Sequence, residues 1–190
     1  MSAGDITARW FRDQSIQLAL TCSSDGALVT IPYTIEQTHD GRFFFASYYN
    51  AAVAAAANID MLIVTGATTT PHIGIMVDTG AQGVMSVYEG VTASSNGTPV
   101  TVFNANRAST KTSTATAFYT PTITGTGTAI LPARFVNGGR GNNAIGSSSG
   151  DFARITELIL LPSTKYLFRF TNTSAGATPV SMQLGWFEEV

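Results

Sequence analysis

Apolar and polar residues alternate at every second position along much of this 190-residue chain, which is the period of a half-buried strand. In residues 15–22, Ile16, Leu18, Leu20 and Cys22 share one face, with Gln17, Ala19 and Thr21 on the other. After the turn pair Asp25-Gly26, the positions Ala27, Val29, Ile31 and Tyr33 repeat the pattern, which predicts a hairpin. A second pair, Asp40-Gly41, predicts another turn, leading into Phe43, Phe44 and Phe45. That run is apolar on both faces and reads as a buried strand.

Further apolar segments follow at short intervals, each bounded by Gly, Pro, Asn or Thr: residues 61–64, 73–77, 84–91, 100–104, 115–123, 155–161, 166–170 and 180–187. The last two alternate most cleanly. Tyr166, Phe168 and Phe170 line one face, and Val180, Met182, Leu184 and Trp186 line another. Many short strands separated by turns predict an all-β sandwich or barrel. Only residues 51–57 have strong helix propensity, and seven residues make a marginal helix. This stretch reads equally as a short helix or as an Ala-rich strand continuation. Residues 137–150, NGGRGNNAIGSSSG, cannot bury a face and read as a flexible loop or partner-contact segment. No fixed-period repeat is present, which argues against a solenoid, a propeller and a fibre shaft. The domain reading is an N-terminal arm and hairpin over residues 1–38 and a β-sandwich over residues 39–190.

Composition adds a constraint on where the apolar surface goes. Charged residues are 12% of the chain, against about 25% in a typical soluble domain, and mean hydropathy is positive at +0.17. A membrane or an interface with other subunits could absorb the excess. The most apolar stretch, residues 43–64, is interrupted by Asn50, Asn58 and Asp60, whereas a spanning helix takes about 20 mostly apolar residues. No membrane partner is therefore expected. The start, MSAGDITARW, lacks a basic region followed by an apolar core, so folding in the cytoplasm of the cell that makes the chain is expected. Net charge is −2 and the basic residues are scattered, so no nucleic-acid partner is expected either. Threonine, dense in residues 92–128, supplies polarity without charge on strand faces.

Candidate chemistry is sparse. A catalytic site needs convergent titratable groups. The chain has two histidines, His39 beside the Asp40-Gly41 turn and His72 after Pro71, and each reads most simply as a surface turn residue. A zinc site from His72 and Asp78 lacks further ligands at metal spacing. Cys22 with His39 could be posed as nucleophile and base, but Cys22 falls on the apolar face of its strand, where an inert buried thiol is the usual outcome. One thiol cannot close an intrachain bridge.

Gly138, Gly139 and Gly141 are not followed by the Lys-Ser or Lys-Thr of a phosphate loop. Of the carboxylates Asp78, Glu89, Asp151 and Glu157, no spacing selects a glycosidase pair. Asn96-Gly97-Thr98 and Asn172-Thr173-Ser174 match the glycosylation pattern without a secretory signal beside them. No enzyme activity, cofactor or metal is expected. The remaining candidates are Arg9, Trp10, Phe11 and Arg12, the residue mix of interface anchors. Packing of this arm over the open end of its own sandwich is an equal alternative.

Several segments together resemble a family of phage head-associated virion proteins. They are Asp40-Gly41 leading into FFFAS, then MLIVTG, VYEGVTASSNGTPVTVFNANR, ELILLPSTKYLFRFTN and the ending LGWFEE. The resemblance runs over residues 40–189, with residues 82–107 as its core and residues 95–98 as a hairpin tip. It implies a jelly-roll-like antiparallel β-sandwich that oligomerises on the virion surface, with a homotrimer expected, and it does not by itself separate a capsid-surface decoration protein from a tail or receptor-binding component. The major capsid protein would then be its partner, with Arg9, Trp10, Phe11 and Arg12 as the candidate contacts. A capsid decoration, or cement, protein is the leading expectation, since linking several subunits multiplies weak contacts. A tail or fibre receptor-binding module is the alternative, although the expected loops are rich in Gly, Ser, Asn and Thr rather than Trp or Tyr.

Overall fold

The computed structural model describes residues 32–138, the backbone of 149–151, and residues 157–189. The anchor candidates Arg9, Trp10, Phe11 and Arg12, the thiol of Cys22 and the hairpin expected from residue 15 up to residue 31 lie outside the described residues.

The first described element is a helix, α1 (Tyr33–His39), where the alternation predicts the end of a strand. Tyr33 and Ile35 are both exposed, so their spacing reports no buried strand face. Pro32 (φ −55°) precedes the helix, a position where its missing N–H costs nothing. Asp40-Gly41 is the expected turn into Phe43, and it forms as the stop of the helix. Gly41 N–H donates to Thr38 O at 3.0 Å and Arg42 N–H to Gln37 O at 2.8 Å, the double bond pattern of a glycine-terminated helix. Gly41 sits at φ +68°, and a Cβ there would lie 2.2 Å from Ser109 Oγ, so the position admits only glycine on two counts.

The strands follow as β1 (Phe43–Val53), β2 (Asn58–Val64), β3 (Thr70–Thr79), β4 (Gly83–Glu89), β5 (Thr92–Ser95), β6 (Thr98–Val100) and β7 (Phe103–Asn104). The later ones are β8 (Thr116–Tyr119), β9 (Thr122–Gly125), β10 (Thr128–Val136), β11 (Ser149–Asp151), β12 (Leu158–Ile159), β13 (Lys165–Asn172) and β14 (Thr178–Glu189). One sheet has the order β11-β3-β14-β1-β7, with β12 also on β3; the other has the order β10-β4-β13-β2-β8-β6. Successive strands β1 to β4 alternate between the sheets, and so do β10, β11, β13 and β14. The late strands β13 and β14 insert between the early ones, giving the two nested Greek keys of a jelly roll. The protein is thus an antiparallel β-sandwich, and the described strands close no barrel.

The side chains that meet between the sheets are those that the alternation selects. Phe44, Ile73, Ile75, Met182, Leu184 and Trp186 come from one sheet, and Met61, Ile63, Met85, Val87, Phe168 and Phe170 from the other, all buried. Each such side chain contributes about 1.5–3 kcal/mol relative to exposure. Leu167 points the other way and is buried too, because a two-stranded ribbon of β5 and β9 covers that outer face. Leu62, Val91 and Leu167 form a second small core there, with Val64, Tyr88, Phe118 and Ile123 packed around it.

One open choice is decided and two local expectations change. Within residues 51–57 the strand continues to Val53, and the chain then turns through Ala56 at φ +59°. Residues 95–98 are a corner rather than a hairpin tip, since β5 pairs with β9 while β6 pairs with β8. A Cβ on Gly97 would sit 2.2 Å from Tyr119 O. The expected strand over residues 115–123 divides at the same corner, between β8 and β9, with Thr120 at φ +50°.

Candidate functional site

Large apolar side chains remain exposed on the outermost strands of both sheets. Phe103 is on β7, Ile130 and Phe135 on β10, and Ile159 on β12; Phe135 and Ile159 are each 63% exposed. Such strands are where soluble proteins ordinarily place charge or proline to block pairing. β10 does carry Pro132 and two irregularities of register against β4, and Ser86 Oγ donates to Pro132 O at 2.9 Å. Ile130 and Phe135 nonetheless face outward, while Leu131 and Val136 turn to the core. Tyr49 on β1 and Leu161 beyond β12 add to the exposed apolar surface.

The outer face of the first sheet holds the densest cluster of chemical groups. His72 lies within β3, not in a turn as its neighbour Pro71 suggests. Its ring stacks on Phe187 with centroids 4.5 Å apart at 23°. Nδ1 is 3.1 Å from Glu157 Oε1 and Nε2 is 3.4 Å from Glu189 Oε2. Glu189 also accepts a hydrogen bond from the Tyr33 hydroxyl, and the Tyr33 ring packs edge-on against Phe187 at 5.4 Å. This network docks α1 onto the sheet. The two carboxylates sit on opposite nitrogens of the imidazole, so they do not converge on a common point. No group of three or more metal-ligating side chains exists among the described residues. A shallow groove of about 380 Å³ lies beside the network, lined by Phe43, His72, Gly74, Met76, Gln183 and Phe187 among others.

A buried carboxylate lies nearby in sequence but on the opposite face of β14. Glu188 accepts hydrogen bonds from Ser113 Oγ, from Thr114 N at 3.0 and 3.1 Å, from Thr114 Oγ1 at 3.0 Å, from Ala115 N at 3.1 Å and from Trp186 Nε1 at 3.2 Å. Burial by itself would raise its pKa, yet these donors outweigh it and hold the carboxyl below the ordinary glutamate range. The anion thus ties the 113–115 segment to the last strand without a basic partner among the described residues. Beside it, a second groove of about 460 Å³ is lined by Phe44, Val100, Val102, Lys111, Ala117 and Phe118 among others.

The other singled-out groups have structural partners. Glu89 Oε2 accepts from the Tyr166 hydroxyl at 2.7 Å; burial, with this bond, pushes the phenol up to about 12. Asp60 and Arg169 form a two-pronged pair at 2.7 and 2.8 Å on the outer face of the second sheet. Asp78 is exposed on β3, and the backbone of Asp151 pairs with Met76. His39 is exposed at the end of α1.

Asn172, whose match to the glycosylation pattern stands without a secretory signal, is fully buried. Its Nδ2 donates to Val53 O, Ala54 O and Gly176 O at 2.8–3.1 Å, and its Oδ1 accepts from Ser174 N and Oγ. Asn96 Oδ1 accepts from Lys165 Nζ at 2.8 Å. Gly138 is described, whereas Gly139 and Gly141 lie outside the described residues. Among the described residues, no helix is long and apolar enough to cross a membrane.

Sequence reasoning missed Glu188 and the bracing role of Asn172, both of which had a signal. Each continues its strand's buried series by two, after Trp186 and after Phe170 respectively. Compared with known proteins, the chain matches no protein-family model and no curated protein.

Proposed function

We propose that this protein is a virion structural subunit of the capsid-decoration type, acting by packing against copies of itself and against the major capsid protein. The observation that carries the reading is the exposure of Phe103, Ile130, Phe135 and Ile159 on the outermost strands of a jelly roll. A chain with only 12% charged residues and large apolar groups on its open edges is matched to other protein surfaces. Jelly rolls serve capsids, lectins and enzymes alike, so the fold is compatible with the role without selecting it. The titratable groups support a structural reading through their partners: Glu188 braces a loop, Glu89 binds a phenol, and His72 sits between two carboxylates. The virion setting rests on the resemblance over residues 40–189, and the homotrimer on the same resemblance.

Two measurements test this. Sedimentation of the purified full chain is expected to give a closed oligomer, and a Phe135→Asp, Ile130→Asp variant a folded monomer. A wild-type monomer at micromolar concentration refutes self-packing. Copy number in purified particles, by quantitative mass spectrometry, separates roles on the virion: hundreds of copies fit decoration of the shell, whereas a dozen or fewer refute it in favour of a tail component.

A further inference from the structure

The groove beside Glu188 opens into the space between the sheets. The chain crosses from one sheet to the other between β6 and β7, and Val102 in that crossing lines the groove with Val100 and Phe44. Phe44, Ala115 and Ala117 belong to the inter-sheet core, and Val100 and Val102 pack against it. The groove is therefore a continuation of the core to the surface rather than a dip in a polar face. Its volume of about 460 Å³ lies in the range of small-molecule sites.

A held cation stands at this apolar groove. Lys111 lines it, and none of the described lining residues is acidic. The lysine N–H donates to Ser109 Oγ at 3.2 Å, its C=O accepts from Asn104 Nδ2 at 3.0 Å, and Nζ donates to Asp40 O at 2.7 Å. It has no ion-pair partner among the described residues. A backbone carbonyl takes one ammonium donor, which leaves the others for an anion. Glu188 lies behind Ser113, and its charge is taken up by the donors around it.

Shape and charge together select the ligand. An alkyl chain that enters the groove leaves water and covers exposed apolar surface at the same time. A carboxylate at its end meets the ammonium in a charge-assisted bond, which an alcohol makes more weakly and a quaternary ammonium cannot make.

We propose that this groove binds a straight-chain carboxylate, a free fatty acid of medium length, with its tail against Phe44, Val100 and Val102 and its head on Lys111. The site goes beyond the structural role proposed above and stands independently of it.

Decanoate is the probe, titrated below its micelle concentration into the full chain by calorimetry. Saturable binding is expected, tighter than that of octanoate by about fourfold for each added methylene, with no binding of decyltrimethylammonium. Lys111→Met keeps the apolar stem and removes the charge. It is expected to weaken decanoate about tenfold and to leave octanol binding unchanged.

Occupancy has a local reporter. Trp186 Nε1 donates to Ser113 Oγ at 3.2 Å, and Ser113 lines the groove, so the indole N–H resonance, read in a Trp10→Phe variant, shifts during the titration. Val102→Trp fills the groove and is expected to abolish binding with an unchanged circular dichroism spectrum. Should that variant fail to fold, Lys111→Met and the amphiphile comparison decide alone.

Absence of decanoate binding at millimolar concentration overturns the proposal. So does equal binding of the ammonium amphiphile, an affinity unmoved by Lys111→Met, or binding that leaves the Trp186 resonance in place. Conversion of an oligomer to folded monomers by Val102→Trp means that a second copy fills the groove, which overturns it as well.

Discussion

Replacing Glu188 by alanine is the most informative single perturbation of this fold. The carboxylate is buried and takes all its bonds from residues 113–115 and Trp186. Ala115 N and Trp186 Nε1 can fall back on Ser113 Oγ, at 3.0 and 3.2 Å, but Thr114 N–H is left with no acceptor. One orphaned buried donor costs about 1–3 kcal/mol, and each bond to a charged acceptor contributes about 1.5–3 kcal/mol. With part of the network rescued by Ser113, the expected loss is about 3–5 kcal/mol, or roughly 6–20 °C in Tm for a domain of this size.

The pH dependence follows from the same geometry. The folded carboxyl titrates below its unfolded value, so its contribution is fully present above about pH 5 and drains away as pH falls through the folded value. Glu188→Gln removes that term and flattens the acid limb. Urea unfolding of the wild type and both variants, at pH 7 and at steps down to pH 3, reads both effects. An alanine variant within 1 kcal/mol of wild type, or a glutamine variant with an unchanged acid limb, refutes the account.

Two further stability changes should accompany it. Trp186→Ala empties the largest fully buried side chain between the sheets and is expected to cost about 3–5 kcal/mol in denaturant unfolding; a near-neutral result would move Trp186 out of the core. Asn172→Ala strips a donor from three carbonyls and leaves Ser174 N–H without its acceptor, with an expected cost of about 2–4 kcal/mol. Wild-type stability for that variant would show that water replaces the amide.

Parity explains both what could be read from the sequence and what could not. β13 and β14 are legible because large apolar groups recur at every second position with no interruption. The same count, carried one step further, reaches Asn172 and Glu188, but polarity at those positions reads as a strand end. Their partners come from distant residues, Val53 and the 113–115 segment, that no local pattern connects to them.

β10 escapes notice because Pro132 interrupts it and most of its side chains face outward. That is the behaviour of an edge strand, where a missing N–H is tolerated. α1 mimics a strand because Tyr33 and Ile35 alternate, and its glycine stop uses the same positive φ that a hairpin turn would. His72 illustrates the reverse error: Pro71 reads as a turn, yet proline is tolerated close to the start of a strand, and the imidazole takes its place on the sheet.

The placement of β13 and β14 between strands from the first half of the chain has a consequence for biosynthesis. β1 and β3 are joined only through β14, and β2 and β4 only through β13, so neither pair is held in its sheet until residues 165–189 come between them. A nascent polypeptide would carry four strands with unfilled hydrogen-bonding edges until that final stretch clears the ribosome. Such long-range closure is intrinsically slow and leaves adhesive intermediates exposed meanwhile. Truncations that remove even the last strand should therefore accumulate as aggregates rather than as smaller folded domains.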